Sequence, residues 1–197
     1  MCSSITQTFF NIILVIGTGM AVASLLTPAW RNFTVKKATT AIKKGDYSMG
    51  LLFAFCGEGP KDRQKVDCAA AFDKKALWEK TAIVCICGAI LFCALALVWS
   101  CVSCFACCCK SCLVPPLPVL TGLATCLQGM GVIVYGVMSG TDFDITKIPR
   151  SFAEFVEESK FGYSMWLGIA ATAFLLISTV LGIVLVKIHE PWTPKKI

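Results

Sequence analysis

Hydrophobic and polar residues in this chain fall into blocks rather than a fine alternation. No Asp, Glu, Lys or Arg occurs from Met1 to Ala29, from Thr81 to Cys109, from Ser111 to Thr141, or from Phe161 to Val186. Each of these blocks exceeds the roughly 20 residues that an apolar helix needs to cross a bilayer. The pattern therefore predicts four spans, near residues 8–26, 81–99, 117–139 and 163–186. Between them lie polar segments at about 28–80, 100–116 and 140–162, with a tail at 187–197. The whole of residues 1–197 reads as one unit, a transmembrane four-helix bundle, because only loops remain outside the lipid. The first block lacks the basic n-region of a cleaved signal peptide, and Leu26-Thr27-Pro28-Ala29 is a poor cleavage site, so it is read as a retained helix.

Within the large polar segment the period shortens to that of strands. Phe33 and Val35 alternate with polar neighbours, Gly45-Asp46 is a turn signal, and Tyr47, Met49, Leu51, Phe53 and Phe55 alternate with other residues up to Cys56. A small antiparallel sheet follows from this. From Ala69 to Lys80 the pattern turns helical and is expected to run into the second span. In the spans, Gly17, Gly19, Ala21 and Ala23 are small enough to let a neighbouring helix approach closely. Gln128 is the strongly polar side chain of the third span, and is expected to hydrogen-bond a neighbouring helix.

Composition supports the membrane reading: 56% of the 197 residues are hydrophobic and only 15% charged, outside the range of ordinary soluble domains. Charge complicates the orientation. Residues 31–80 carry eleven Lys and Arg, which by the positive-inside rule would place them in the cytoplasm. Cysteine usage opposes this. The large segment has two cysteines, Cys56 and Cys68, which suits an oxidising compartment. Six others crowd into Cys101, Cys104, Cys107, Cys108, Cys109 and Cys112, which suits a reducing one. The sequon Asn32-Phe33-Thr34 makes Asn32 a candidate glycosylation site and points the same way. We therefore expect a multi-pass protein of the plasma membrane, with both termini in the cytosol and 28–80 and 140–162 outside. Trp30, just past the first span, reads by itself as an aromatic belt residue.

No Asp, Glu, Lys, Arg or His lies inside a predicted span, which disfavours pumps, proton-coupled carriers and voltage sensors. His189 is the one histidine and sits in the tail, so a Ser-His or Cys-His pair would have to be built in those eleven residues, and we expect no enzyme. Neither a cofactor nor nucleic acid is implied; membrane lipid is. The spacing Cys101-x-x-Cys104-x-x-Cys107 resembles a metal site but lacks a second half. Cysteines at the cytosolic end of a span are instead candidates for palmitoylation.

These features together resemble the claudin superfamily, which includes the claudins, the peripheral myelin protein group and channel gamma subunits; invertebrate claudin-like proteins are the nearest likeness. The resemblance rests on four spans with a large first outer loop, Trp30, the run Gly50-Leu51-Leu52-Phe53, and the pair Cys56 and Cys68 with Asp67 before the second cysteine. The family has Trp after Gly-Leu, where this chain has Leu52 or Phe53, and its cysteine spacing is slightly shorter. The resemblance implies a left-handed bundle, an outer sheet of about five strands fed by both loops, a Cys56–Cys68 disulfide, and Trp30 wedged between sheet and bundle. It further implies a non-enzymatic role at cell–cell contacts, as an adhesion or paracellular barrier component that self-associates in cis and in trans. Lys36, Lys37, Lys43 and Lys44 would then favour anions at any pore. The alternative is an auxiliary, gamma-like subunit resting on an ion channel or receptor.

Overall fold

A computed structural model describes residues 2–35, 45–51, 76–105, 114–141 and 156–189. Four helices account for most of them: α1 (Cys2–Leu26), α2 (Leu77–Phe105), α3 (Pro116–Thr141) and α4 (Tyr163–His189). All four are long and apolar enough to cross a membrane, over Ile5–Leu26, Leu77–Ser103, Pro116–Ser139 and Tyr163–Ile188. At 1.5 Å per residue these segments run about 33–40 Å, against a hydrocarbon core of about 30 Å. The chain is a multi-pass membrane protein.

The spans coincide with the charge-free blocks and extend past them. α2 begins at Leu77, taking Glu79 and Lys80 into its first turns. Glu79 is favourable there because an acidic side chain complements the positive end of the helix dipole. Ala76 precedes the helix in non-helical backbone and accepts a hydrogen bond from the Lys80 N–H at 3.2 Å. The helical segment expected from Ala69 falls mostly on residues 69–75, which lie outside the described ones. Trp78 and Trp99 are separated by about 31 Å of helix, one bilayer core, and Tyr163 and Trp166 are exposed at the sheet end of α4. These positions match the aromatic belts of a membrane boundary.

α1 packs mainly on α4 and α2 mainly on α3, with α3 against α4 joining the two pairs and a narrower α1–α2 seam closing the ring. Small residues set the close approaches. A Cβ on Gly17 would meet Phe174 and Leu175 of α4 at 3.2 Å, and one on Gly131 would meet Ile86 of α2 at 2.8 Å. Gly19, expected to serve the same purpose, is exposed and has nothing within 4 Å of such an atom. Two apolar clusters fill the interior. One, around Phe10, Leu14, Cys93, Leu117, Leu175 and Leu185, lies towards the helix ends away from the sheet. The other, around Leu25, Ile83, Ile86, Val132 and Met165, lies beneath the sheet.

The sheet has three antiparallel strands: β1 (Arg31–Val35), β2 (Gly45–Met49) and β3 (Val156–Phe161), in the order β2-β1-β3. It therefore draws on both long polar segments, with the strand nearest α1 in the middle. β1 pairs Arg31 with Met49 on one side and with Phe161 on the other. Gly45 and Asp46 are not a turn but the first paired residues of β2, opposite Val35 and Thr34. The strand expected to continue to Phe55 leaves the sheet after Met49. On the other edge the register skips Glu157, so that Thr34 faces Glu158 while Val35 faces Val156. A bulge of this kind bends and twists an edge strand.

Gly162 joins β3 to α4 where no side chain fits. A Cβ there would lie 1.9 Å from the Ala29 carbonyl oxygen and 2.6 Å from its carbon. The obstacle is backbone held by two hydrogen bonds, Gly162 N–H to Trp30 O at 3.0 Å and Ser164 N–H to Ala29 O at 3.1 Å, so it cannot swing aside. We expect Gly162→Ala to cost about 1–3 kcal/mol or more, read as a lowered thermal midpoint of the detergent-solubilised protein. Gly19→Ala should be neutral or slightly stabilising, by at most about 1 kcal/mol.

Candidate functional site

The described part of the molecule offers one place where polar and aromatic side chains from distant segments converge, the collar between sheet and bundle. It starts where α1 ends. Thr27 Oγ1 caps the helix by donating to Ala23 O at 2.7 Å and lies 2.6 Å from Ser164 Oγ of α4, which also accepts the Ala29 N–H at 3.2 Å. The bond from Ala29 N–H satisfies a backbone group that would otherwise be stranded at the membrane boundary, where an unpaired one is costly.

Trp30 follows directly and is fully buried. Its indole faces the bundle interior rather than lipid, so the reading as a belt residue does not describe its position. Nε1–H donates to Ser24 O at 2.6 Å, Tyr135 of α3 meets the ring edge-on at a centroid distance of 4.7 Å, and Gly168 of α4 leaves room for its far edge. Trp78 packs on Tyr135 in the same edge-on manner at 5.6 Å. Three aromatic rings from α1's exit, α2 and α3 thus form one edge-to-face cluster, a geometry favoured by ring quadrupoles. Leu51, 1% exposed, enters this cluster from the residues just after β2. Gly50, buried beside it, completes the passage from sheet to core.

Arg31 is the site's charged member. Although it begins a strand, it is only 6% exposed, and Nη2 donates to the carbonyl of Ser139 at 2.5 Å. That carbonyl lies in the last turn of α3, where helix acceptors lack an intrahelical donor and a cation is favoured by the dipole. Burial pulls the Arg31 pKa below its ordinary value, with Tyr135 acting in the opposite sense. A guanidinium nevertheless stays protonated at physiological pH. Glu79 and Arg31 both lie within electrostatic reach of Tyr135, so charges of opposite sign flank its hydroxyl group.

Other expected site residues are scattered. Asn32, next to Arg31 on the central strand, is exposed. Cys101 is an exposed free thiol near the far end of α2, and Cys104 lies in that helix's last turns. Cys107, Cys108, Cys109 and Cys112 lie outside the described residues, as do Phe53, Cys56, Cys68, Lys36, Lys37, Lys43 and Lys44. Among the described residues no group of three or more His, Cys, Asp or Glu is placed to hold a metal. The collar can therefore hold two parts of the chain together, and nothing in its donor set supplies a nucleophile paired with a base.

Arg31, Tyr135, Trp78 and Ser164 were not singled out from the sequence. A signal existed for one of them: a tyrosine well inside an apolar block carries a hydroxyl that must find a partner. No family model matches this chain, and no curated protein does.

The collar's energetics can be read by substitution. Trp30→Phe keeps a ring against Tyr135 but loses the bond to Ser24 O, and should cost about 1 kcal/mol. Trp30→Ala should cost about 3–5 kcal/mol. Thermal unfolding in detergent, followed together with protease cleavage between residues 36 and 75, measures both. Earlier cleavage in Trp30→Ala, with the four helices intact by circular dichroism, is the expected result.

Proposed function

We propose that this protein is a claudin-like component of cell–cell contacts, in which the sheet and the segments joined to it face the extracellular space and bind neighbouring copies. The collar is the observation that carries this reading. Trp30, Arg31 and Leu51 seat a sheet built from two separate chain segments on the end of a membrane bundle. Holding a surface at fixed height and orientation over a membrane is what a binding ectodomain needs, since ordering a loose one would oppose association.

The apolar spans support the same conclusion from the other side. Between Thr81 and Phe105, and throughout Pro116–Thr141, there is no Asp, Glu, Lys, Arg or His on which a transport cycle could turn. Function is therefore assigned to the ends of the bundle. With the sheet outside, the cluster from Cys101 to Cys112 falls in the cytosol, where acylation would add to membrane attachment. Cys56 and Cys68 would be joined in the oxidising space, stabilising the first loop by restricting its unfolded state.

Contact formation is tested by mixing cells that express a fluorescent fusion with cells that do not. Accumulation where two expressing cells touch, and not where only one does, is expected. Uniform distribution together with co-purification of a channel or receptor would replace this reading with that of an auxiliary subunit.

If the contacts enclose a paracellular path, the lysines between β1 and β2 set its charge preference. Replacing Lys36, Lys37, Lys43 and Lys44 by Glu should turn an anion-favouring dilution potential into a cation-favouring one. An unchanged potential would assign these lysines to an ordinary solvated surface.

A further inference from the structure

We propose that Asn11 holds a diacyl phospholipid by a glycerol ester oxygen, in the leaflet away from the sheet. Thr18, Ser24 and Thr27 of α1 each donate back to a carbonyl of their own helix. Asn11 turns to α2 instead. Its Oδ1 accepts the hydroxyl of the fully buried Ser100 at 2.6 Å.

That bond fixes which way the amide lies. With Oδ1 held in the α1–α2 seam, Nδ2 and its two N–H donors are turned out of it. Asn11 is half-buried, and Nδ2 makes no hydrogen bond among the described residues and is not enclosed by them. Gln128 is the contrast. Its amide also makes no bond among the described residues, against the one expected to a neighbouring helix, but it is completely buried and out of reach of a ligand.

Depth decides what these donors meet. Ser100 follows Trp99, the exposed belt residue at this end of α2. On α4, a Cβ on Gly182 would lie 3.4 Å from the Phe10 ring, which sets the two residues level. Lys187, the first charged residue of α4, lies five residues further out, about 8 Å along the axis. The polar layer on each side of a bilayer is about 5–8 Å deep. Asn11 therefore stands where hydrocarbon gives way to glycerol esters. The neighbours on its edge of α1 agree: Val15, one turn nearer the midplane, is exposed and apolar, and Thr8, one turn further out, is exposed and polar.

Chemistry then selects the acceptor. An amide donor left unpaired among acyl chains is unfavourable, and an ester carbonyl accepts a hydrogen bond with no donor of its own to place. Neither α1 nor α2 carries a charge at this end, so the site does not sort headgroups by charge. What it recognises is the ester linkage. A diether phospholipid with the same headgroup and chains lacks that oxygen. Ser100 acts as a positioning residue, since it holds the amide with its donors outward.

The test uses the full chain, labelled with ¹⁵N-asparagine, in nanodiscs of diester phosphatidylcholine or of the diether lipid with the same chains. Asn11 and Asn32 are the two asparagines. Asn32→Gln, at an exposed sheet position, assigns the signals by loss and leaves the bundle untouched. The expected result is cross-relaxation from the Asn11 amide protons to glycerol and first-methylene protons of the diester lipid, at least twofold weaker in the diether, with Asn32 alike in both. Ser100→Ala frees the amide to turn and should halve the diester signal or more. Equal contacts in both lipids, contacts to water alone, or contacts to a second copy in an isotopically mixed sample would overturn the proposal. A diester signal unchanged in Ser100→Ala would remove Ser100 from it.

Discussion

Where a membrane helix gives way to a strand, the backbone must exchange one complete set of hydrogen bonds for another within a few residues, and in this protein that exchange is made once for two segments together. The chain leaving α1 and the chain entering α4 meet at Ala29, Trp30, Gly162 and Ser164, and each supplies what the other lacks. Gly162 N–H and Ser164 N–H find the Trp30 and Ala29 carbonyls, while Ser164 Oγ takes the Ala29 amide. The central strand and one edge strand are thus already aligned when they emerge. The β1–β3 register, with Arg31 opposite Phe161, continues that alignment outward.

Trp30 and Arg31 are consecutive, and both are buried despite their different chemistry. The reason lies in what each finds. Trp30 buries a large apolar surface and satisfies its single donor on Ser24 O. Arg31 carries a charge into the same region, which is tolerable because α3 ends there with carbonyls that no helix N–H can reach. A lysine would complement the helix end as a point charge but lacks the planar guanidinium that carries Nη2 to the Ser139 carbonyl. Edge-to-face aromatic packing and helix-end electrostatics thus act side by side on the same few residues of chain.

Much of this architecture is legible in the sequence, and the limits of legibility have physical causes. The spans are plain because lipid tolerates almost no charge, so gaps between ionisable residues mark them to within a few positions. β1 is visible through Phe33 and Val35. β3 is not: Val156-Glu157-Glu158-Ser159-Lys160-Phe161 has three charges in six residues and becomes a strand through pairing with β1, a tertiary effect that local propensity does not contain. β2 misleads in the other direction. Its alternation continues past Met49, yet Leu51 is drawn into the bundle beneath the sheet, so the pattern persists where the pairing stops. Arg31 is hidden among eleven basic residues in its segment, because residue type alone does not separate a buried cation from a solvated one.

The two apolar clusters lie in opposite halves of the bundle, and the collar belongs to the one beneath the sheet. Beneath the sheet, aromatic and branched side chains interlock across α2, α3 and the exit from α1, which resists relative movement because such packing has few alternative arrangements. Towards the other ends of the helices, Phe10, Leu14, Leu117, Leu175 and Leu185 fill the interior through apolar contact. The sheet is therefore joined to the bundle through the half in which aromatic packing and the hydrogen bonds of Trp30 and Arg31 act together.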